Sequence, residues 1–496
     1  MKSKILVDYE SYMCSVALLE DDVLREFYVE DHNTERVTGD IYKGRVEKVL
    51  PGLASAFVDI GKRKNGYLAA SDMLEDRTTL TRSGRIPTTL NVSEGDYVLV
   101  QAVKEPTDTK GARLSANLSL PGRYIVYMPT VDFVGVSNKI GDDAARSRLL
   151  ELLYANRPTP HCGLIARTAA KDADAGDIID EIRYFAATYE NLLNKFNATD
   201  GVARLSSDGD LIFRSVRDML NSGVDEIVCN SAQIASRLTK YLSERLASSV
   251  KVTTMENVDV LKKYGVLDEV EKLLRAKVNL ESGGTLVIDR TEALTVIDVN
   301  TAKYIGDTDR ENTVFAINCE AAREIARQLR LRNVGGMVVI DFIDMTDPLH
   351  NEEVVEVLKK EAALDRMRTR VLPMTELGLV QMTRKKSGVE LQSLLLQPCH
   401  ECYGTGHTVS PNYIMRKVKA QLMQIFNDVD CSSAVVTVNP AVFARLEAED
   451  WQLDLGMFAG KRVYLVASPE VNSNSFRISA RSGYVLSLPD RAYLLT

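Results

Sequence analysis

Two apolar runs that each end in an aspartate constrain the fold of this chain more than any other feature of its sequence. The first run, LTVIDVN, covers residues 294–300, and the second, MVVID, covers residues 337–341. Short runs rich in valine and isoleucine predict buried strands. A carboxylate in apolar surroundings is costly unless a positive partner accompanies it. Both strand ends therefore require an explanation beyond core packing.

The aspartates of these runs, Asp298 and Asp341, can lie side by side at the edge of one sheet. Two neighbouring carboxylates repel each other and attract a divalent cation, and Mg²⁺ suits them because it accepts one or two carboxylates and keeps its waters. Asn300 shares the face of Asp298, where its amide can bond an attacking water or a scissile phosphate. Asp344 is predicted to face the opposite side and to cap the next segment. A single such aspartate is more often a strand-end or turn residue, but two of them beside Asn300 make that alternative less favourable.

The length of the chain, 496 residues, exceeds what one core supports and predicts several domains. Hydrophobic residues make up 45% and charged residues 26%, and no apolar run approaches the roughly 20 residues that span a bilayer. The first residues, MKSKILVDY, lack the apolar region of a signal peptide. We therefore expect a globular cytoplasmic chain with no transmembrane segment.

Charge and cysteine content narrow the possible partners. The formal charge of −8 argues against a uniformly basic surface, so any contact with RNA or DNA must be local. The 7 cysteines are an odd number without a disulfide pattern, which is typical of a reducing compartment. Only Cys399 and Cys402 lie close together along the chain.

Local patterns divide the chain into segments of different structure. Alternating apolar and polar residues predict antiparallel strands in residues 1–37, and short strands with glycine turns predict a small OB-type barrel after them. Mixed helices and strands follow, with helices expected over residues 142–156 and 313–332. The cysteine pair lies in a linker rich in proline and glycine, and an αβ segment closes the chain.

Three longer motifs make the chain similar to a known family. TEALTVIDVN, EIARQLRLRNVGGMVVIDFIDM and the cysteine-containing QPCHECYGTGH resemble the ribonuclease E/G family of single-strand-specific endoribonucleases. The likeness covers essentially the whole chain. It is similar to the short ribonuclease G form, which lacks the long disordered tail with which the longer form gathers partner enzymes.

The resemblance implies an α+β multi-domain fold in which Asp298 and Asp341 hold a catalytic Mg²⁺ and Asn300 assists. The implied parts are an RNase H-like domain split between 1–37 and 208–277, an S1 RNA-binding barrel at 38–118, a 5′-sensor domain at 119–207, a DNase I-like catalytic domain at 278–393, a zinc link at 394–409 and a small αβ dimerisation domain at 410–496.

Two aromatic residues of the barrel are candidate RNA contacts. Phe57 and Tyr67 flank the basic turn at residues 62–64, and aromatic rings stack unpaired bases at roughly 1 to 3 kcal/mol each. Either ring taken alone is more often part of a barrel core. The resemblance implies instead that both rings line an RNA-binding face and that Lys110 lies beside the substrate.

The strand CGLIART ends in Arg167 and Thr168, a guanidinium next to a hydroxyl that can hold a terminal phosphate. An Arg-Thr pair alone is usually a chance combination of two surface residues without a binding role. The resemblance makes it a pocket for a 5′-monophosphate, so RNA with that end is expected to be cut faster than triphosphorylated RNA. Arg368 lies in the stretch LDRMRTR, which we interpret as helical. The resemblance implies that it contacts the substrate near the active site and belongs with the 5′-phosphate-binding residues, and a solvated helix face is the alternative.

Cys399 and Cys402 supply two thiolates, whereas a structural zinc takes four ligands. The economical solution, which the resemblance also implies, is one zinc shared between two chains, giving a homodimer that can pair into a tetramer. Relatives carry proline after the first cysteine, and this chain has His400. Two alternatives therefore remain open: His400 or His407 could complete a zinc site within one chain, or the cysteine pair could bind no metal.

The favoured function is a Mg²⁺-dependent endoribonuclease that cuts single-stranded RNA in rRNA processing and mRNA decay, with 5′-phosphate and 3′-hydroxyl products. A non-catalytic RNA-binding scaffold is the alternative from another class. A DNA-directed nuclease is a weaker alternative, because it is suggested by fold analogy alone.

Overall fold

The computed structural model describes residues 2–33, 36–73, 92–106, 110–207, 211–220, 223–245, 250–301, 310–386, 388–448, 460–483 and 492–495. In chain order its strands are β1 (Ser3–Tyr9), β2 (Met13–Glu20), β3 (Val23–Asp31), β4 (Ile41–Leu50), β5 (Ser55–Asp59), β6 (Gly66–Ala69), β7 (Tyr97–Lys104), β8 (Arg113–Ser115), β9 (Leu120–Pro121), β10 (Ile125–Met128), β11 (Val134–Val136), β12 (Gly163–Ala166), β13 (Ala203–Ser206), β14 (Glu226–Cys229), β15 (Lys251–Thr254), β16 (Lys277–Asn279), β17 (Thr285–Arg290), β18 (Leu294–Asn300), β19 (Gly336–Asp341), β20 (Thr369–Val371), β21 (Leu379–Arg384), β22 (Ser433–Val438), β23 (Arg462–Ala467), β24 (Phe476–Arg481) and β25 (Ala492–Leu494).

Its helices are α1 (Asp143–Ala155), α2 (Ala175–Ala198), α3 (Leu211–Met219), α4 (Ala232–Arg245), α5 (Val260–Lys263), α6 (Val266–Leu273), α7 (Arg310–Leu331), α8 (Pro348–Ala363), α9 (Leu391–Leu395), α10 (Pro411–Asp428) and α11 (Pro440–Ala448). The chain forms two compact units, residues 1–395 and 396–496. The mixture of helices and strands confirms the α+β class.

The first sheet, ordered β15-β14-β1-β2-β3, joins the N-terminal strands to a distant part of the chain. β1 runs parallel to β14, with Ile5 paired to Ile227, and antiparallel to β2. Ile5, Val16 and Ile227 belong to a core that α3 and α4 complete on one face of the sheet. The pairing places strands from residues 1–37 and 208–277 in one sheet, and the RNase H-like domain that the resemblance implies for these two segments stays a prediction.

The strands β4, β5, β6, β8 and β7 close into a five-stranded barrel, because β4 also pairs with β7. Val58, Leu68 and Leu114 lie in its core. Gly66 permits close packing, since a Cβ there would lie 2.5 Å from Cδ1 of Leu114. The expected small barrel is confirmed, and β13 extends its sheet by pairing with β4.

The next sheet has the order β11-β12-β10-β9 and packs against α1 and α2. The predicted helix over 142–156 is confirmed as α1. Its N-cap is Asp142, whose side chain accepts a bond from the Ala144 N–H at 3.0 Å.

The sheet ordered β16-β17-β18-β19-β21-β20 carries both apolar runs that end in aspartate. β18 and β19 are parallel neighbours, and α7 lies between them in the chain. The buried α7 residues Ala321 and Ile325 share a hydrophobic core with Ile297 of β18 and Ile340 of β19. The predicted helix over 313–332 is confirmed as α7. It ends before Gly336, whose φ of +108° suits glycine.

The second unit holds a sheet of order β24-β22-β23-β25 with α10 and α11 against it. The αβ character predicted for this segment is confirmed. Within the described ranges, every helix is too short or too polar to cross a membrane.

Candidate active site and RNA-contacting residues

The parallel pairing of β18 with β19 places Asp298 directly opposite Asp341. Burial alternates along β18, so Ile297 and Val299 face the core while Asp298 and Asn300 are exposed. Asp341 is exposed at the end of β19. The predicted juxtaposition of the two carboxylates at one end of the sheet is therefore confirmed.

The electrostatics of this pair favour a cation. Partial burial, followed by the charges of Asp298 and Asp344, raises the pKa of Asp341. The Asn300 amide donates a hydrogen bond of 2.7 Å to Oδ2 of Asp298, which fixes that carboxylate's orientation. In the described part of the chain, neither Asp298 nor Asp341 forms an ion pair with lysine, arginine or histidine.

Two exposed carboxylates with like-charge repulsion fit Mg²⁺, which binds through one or two carboxylates and completes its shell with water. Over the described residues, no group of three or more histidine, cysteine, aspartate or glutamate side chains converges as a fuller metal site. The residues present therefore suit an ion that keeps much of its hydration.

The prediction that Asp344 caps the next segment is wrong. The N-cap of α8 is Asp347, whose side chain accepts from the Leu349 N–H at 2.9 Å. Asp344 is exposed, and its charge acts on Asp341. The strand β19 ends at Asp341, so strand alternation no longer sets the direction of the Asp344 side chain.

Two residues that the sequence interpretation missed hold the chain immediately after Asp341. The buried Asn318 of α7 donates to the Ile343 carbonyl at 2.8 Å and accepts from the Ile343 N–H at 3.1 Å. Glu311 accepts bonds from the Thr346 hydroxyl at 2.8 Å and from the Asp347 N–H at 3.1 Å. The backbone N–H groups of Asp347 and Thr346 are the main reason that the pKa of Glu311 falls to about 2.

A sequence signal for Asn318 exists, because this amide shares the buried face of α7 with Ala321, Ala322 and Ile325. A polar residue within an apolar helical stripe implies a buried hydrogen-bond partner. Its partner lies 25 residues away, so only the tertiary structure identifies it.

Phe57 and Tyr67 are cross-strand partners on β5 and β6. Their ring centroids lie 6.2 Å apart at 66°, and Phe57 is 37% exposed, so the pair is not part of the barrel core. Lys110 is also exposed, and the adjacent Gly111 packs so closely that a Cβ would lie 1.9 Å from the Asn65 carbonyl oxygen. The loop that carries Lys110 and the basic turn at residues 62–64 are therefore neighbours of the aromatic pair.

Arg167 and Thr168 follow β12, as predicted, but the Arg167 guanidinium already has protein partners. It donates to the Gly122 carbonyl and forms an ion pair of 2.9 Å with Asp218. The Thr168 hydroxyl lies 3.4 Å from that of Ser137.

The helical interpretation around Arg368 is wrong, because α8 ends at Ala363 and Arg368 precedes β20. Asp365 turns the chain there by accepting from the Met367 N–H at 2.8 Å while pairing with the buried Arg384 at 2.6 Å. Arg368 is exposed, and within the described residues its side chain has no hydrogen bond or ion pair with the Arg-Thr pair.

Cys399 and Cys402 lie close together in the second unit. Hydrogen bonds to the sulfur of Cys402 lower its thiol pKa, the Gly406 N–H being the main donor at 3.3 Å, and the Cys399 side chain contributes. Thiolates are the form that binds zinc. Over the residues that the structure describes, no histidine, cysteine, aspartate or glutamate joins the two cysteines in a group of three candidate ligands.

Comparison with known proteins identifies relatives over most of the chain. The model of the ribonuclease E/G family matches residues 119–387. Ribonuclease G of Escherichia coli K12 is 32% identical over 488 residues, covering 96% of this chain and 99% of the relative. Ribonuclease G of Haemophilus influenzae is 33% identical over 477 residues, with 93% and 96% covered. Ribonuclease E of a Nostoc species is 37% identical over 399 residues, 79% of this chain and 57% of the relative.

Proposed function

The chain belongs to the ribonuclease E/G family, and from that membership we propose that it is a Mg²⁺-dependent hydrolytic endoribonuclease that cleaves single-stranded RNA at the Asp298–Asp341 pair. The observation that carries the proposal is the in-register pairing of these two aspartates on parallel strands. A non-catalytic scaffold would have no need for two mutually repelling carboxylates at an exposed sheet end.

Asp298 and Asp341 would hold Mg²⁺, which when bound polarises a phosphoryl oxygen and lowers the pKa of a water. The chain's own residues prepare this site. Asn300 holds the Asp298 carboxylate through one amide N–H, and its second N–H can bond the water or the phosphate. Asn318 and Glu311 fix the segment that follows Asp341. Water attack gives products with a 5′-phosphate and a 3′-hydroxyl.

The barrel supports RNA binding through stacking and charge. Phe57, which is exposed, and Tyr67, which is half-buried, offer ring faces to unpaired bases, and Lys110 offers a cation to the backbone. This combination favours single strands, because bases inside a duplex are not available for stacking on a protein.

A 5′-monophosphate site at Arg167 and Thr168, with Arg368 contacting the substrate, is part of the proposal. Arg167 uses two of its nitrogens for Gly122 and Asp218, and a guanidinium has five N–H donors in all. The Thr168 hydroxyl can add a bond to the same phosphate. In the cell we assign the enzyme to rRNA processing and mRNA decay in the cytoplasm, acting as a zinc-linked homodimer.

Cleavage of one short unstructured RNA tests the catalytic assignment. Asp298→Asn and Asp341→Asn are each expected to lower kcat/KM by about 1000-fold, since several kcal/mol of transition-state stabilisation is lost, while RNA binding remains. Asp289→Asn is the matched control, because Asp289 also follows Val-Ile and is exposed on β17, where it pairs with Val296. Undiminished cleavage by Asp341→Asn would refute the metal role and favour the scaffold.

The same RNA carrying either a 5′-monophosphate or a 5′-triphosphate tests the sensing pocket. Wild type is expected to cut the monophosphorylated RNA about 10-fold faster, the effect of roughly one charge-assisted bond, and Thr168→Val is expected to reduce that preference. A DNA oligonucleotide of the same sequence should remain uncut. Equal rates on both RNA ends would remove the 5′ preference and leave the catalytic assignment intact.

A further inference from the structure

The strand β16, first in the order of its sheet, aligns a lysine with the Asp298–Asp341 pair. Lys277 pairs with Val287 of β17, and Val287 pairs with Asp298 of β18. Asp298 in turn pairs with Asp341, so one row across four neighbouring strands begins with a lysine and ends with the two carboxylates. Paired residues of neighbouring strands point to the same face of a sheet. Lys277 therefore shares the face of the two aspartates.

The next row repeats this arrangement with amide side chains. Asn279 pairs with Thr285 of β17, which pairs with Asn300 of β18. Between Lys277 and Asn279, Val278 packs against the hydrophobic core on the opposite face of the sheet. Strand alternation directs the two polar side chains away from that core. The strand β16 thus presents an ammonium and an amide on the face that carries the aspartates.

Both of these side chains are exposed, and within the described ranges neither forms a hydrogen bond or an ion pair. Among the described strand residues of this sheet, Lys277 is also the cation closest in register to the aspartates on their face. The other cation there, Arg370 on β20, pairs with Thr383. Thr383 pairs with Met337, which precedes Asp341 by four residues on β19. The sheet therefore offers RNA one positive group near the site of cleavage.

The separation of Lys277 from the aspartates suits a flanking phosphate of the same RNA strand. Two strand spacings of about 4.8 Å place its Cα roughly 10 Å from that of Asp298. Stacked nucleotides advance about 3.4 Å each and extended ones advance more, so roughly 10 Å corresponds to at most about three nucleotides. The strand between them, β17, contributes uncharged Val287 and Thr285 to the two rows. Asp289, its nearest carboxylate on this face, lies one row farther from that end of the sheet.

We propose that Lys277, with the amide of Asn279 as a second donor, binds one backbone phosphate of the RNA within about three nucleotides of the cleaved bond. The inference rests on the proposed function and adds an RNA contact to the catalytic sheet. This contact carries no sequence information, because every nucleotide has the same phosphate. A lysine that only protects an edge strand from pairing with other chains is the alternative, and it predicts no link to any one phosphate.

The experiment uses a 5′-monophosphorylated RNA with one mapped cleavage site, in which each nearby linkage except the cleaved one is replaced in turn by an uncharged methylphosphonate. Lys277→Gln is expected to cut the unmodified RNA with a kcat/KM about 10-fold below that of wild type, the effect of one charge-assisted hydrogen bond. Wild type should show the same loss on one modified RNA, whose neutral linkage lies within about three nucleotides of the cut. On that RNA, Lys277→Gln should lose nothing further, because the charge pair is already broken.

Three further variants and a salt series separate this contact from a general effect. Lys277→Arg should keep most of the activity because it keeps the charge, and Asn279→Ala should show a smaller loss at the same linkage. Lys251→Gln is the matched control, because Lys251 is also an exposed lysine on an outer strand, β15 of the first sheet, and it should cut every RNA as wild type does. In the non-cleaving Asp298→Asn background, Lys277→Gln should reduce the slope of log affinity against log salt by about 0.7, the value for one phosphate of a single strand.

An unchanged kcat/KM in Lys277→Gln would overturn the proposal. Equal losses of wild type and Lys277→Gln at every neutral linkage would do the same, as would a coupling found only at a linkage beyond the stated range. In each of these cases, cleavage by the wild type leaves the endoribonuclease assignment standing. Failure of the wild type to cut any of the RNAs would instead reject that assignment.

Discussion

Asn318 links the helix α7 to the chain beyond the catalytic strand, although it contacts neither carboxylate. Its amide satisfies both backbone groups of Ile343, two residues after Asp341. Catalytic groups function only when neighbouring atoms hold them to within fractions of an ångström, and this amide supplies such support to Asp341. We therefore propose that Asn318 is a positioning residue.

Asn318→Leu should therefore impair both stability and catalysis. The leucine leaves the Ile343 N–H and carbonyl without partners, and we expect the free energy of unfolding to fall by about 2 to 4 kcal/mol. We also expect kcat of the folded enzyme to fall about 10-fold with KM little changed, because a displaced carboxylate affects the reaction more than RNA binding. Denaturant unfolding and steady-state cleavage measure the two effects.

The matched control is Gln328→Leu on the same helix. Gln328 is also a buried amide, and it bonds Glu324 at 2.8 Å and Arg332 at 2.7 Å instead of the catalytic segment. This variant should lose stability yet keep its kcat. If both variants lost kcat equally, Asn318 would be an ordinary structural residue.

At the level of single elements, the aromatic pair of β5 and β6 gives a prediction about RNA affinity. Phe57→Ala and Tyr67→Ala should each weaken binding of a single-stranded oligonucleotide by roughly 1 to 3 kcal/mol, the value of one lost base stack. Tyr67→Phe should be neutral, because it keeps the ring. Fluorescence anisotropy measures the affinities.

Tyr154→Ala serves as the reference for a general effect of removing an exposed ring, since Tyr154 is 59% exposed on α1, outside the barrel. Binding is expected to be unaffected. Loss of affinity in Tyr154→Ala equal to that in Phe57→Ala would mean that the barrel face has no special role.

The elements that the sequence predicted correctly are those defined by local pattern. The strand β18, the helix α7 and the strand β19 follow from runs of apolar residues at periods of 2 and 3.6, and their succession brought Asp298 to Asp341. The assignments that failed depend on contacts distant in sequence. Arg368 does not lie in the expected helix, because the chain turns at Asp365, which pairs with Arg384, 19 residues later.

Distant contacts also explain what the sequence left out of the site. Arg167 donates a hydrogen bond to Asp218, which lies 51 positions later in the chain, and no local sequence pattern predicts this contact. Motifs therefore identified the proposed catalytic residues, whereas the residues that support them could be found only from the fold.

At the level of the whole molecule, the cysteine pair predicts an assembly that depends on zinc. Native mass spectrometry should show a dimer with one zinc per two chains, and a chelator or Cys402→Ser should convert it to monomer, because two thiolates from each chain complete a tetrahedral set. His400→Ala combined with His407→Ala should preserve the dimer. A dimer that keeps its mass after zinc removal would refute the shared site.

The first sheet has a consequence for biosynthesis. Ser3 bonds Asp225, 222 positions later, and β1 needs β14 as its parallel neighbour. At roughly 5 to 20 residues per second, a ribosome takes some tens of seconds to deliver that partner. Until then we expect β1, with Ile5, Leu6 and Val7, to be an edge strand of the β1-β2-β3 sheet, open to pairing with other chains. We therefore expect the newly made N-terminus to benefit from a chaperone that covers this edge.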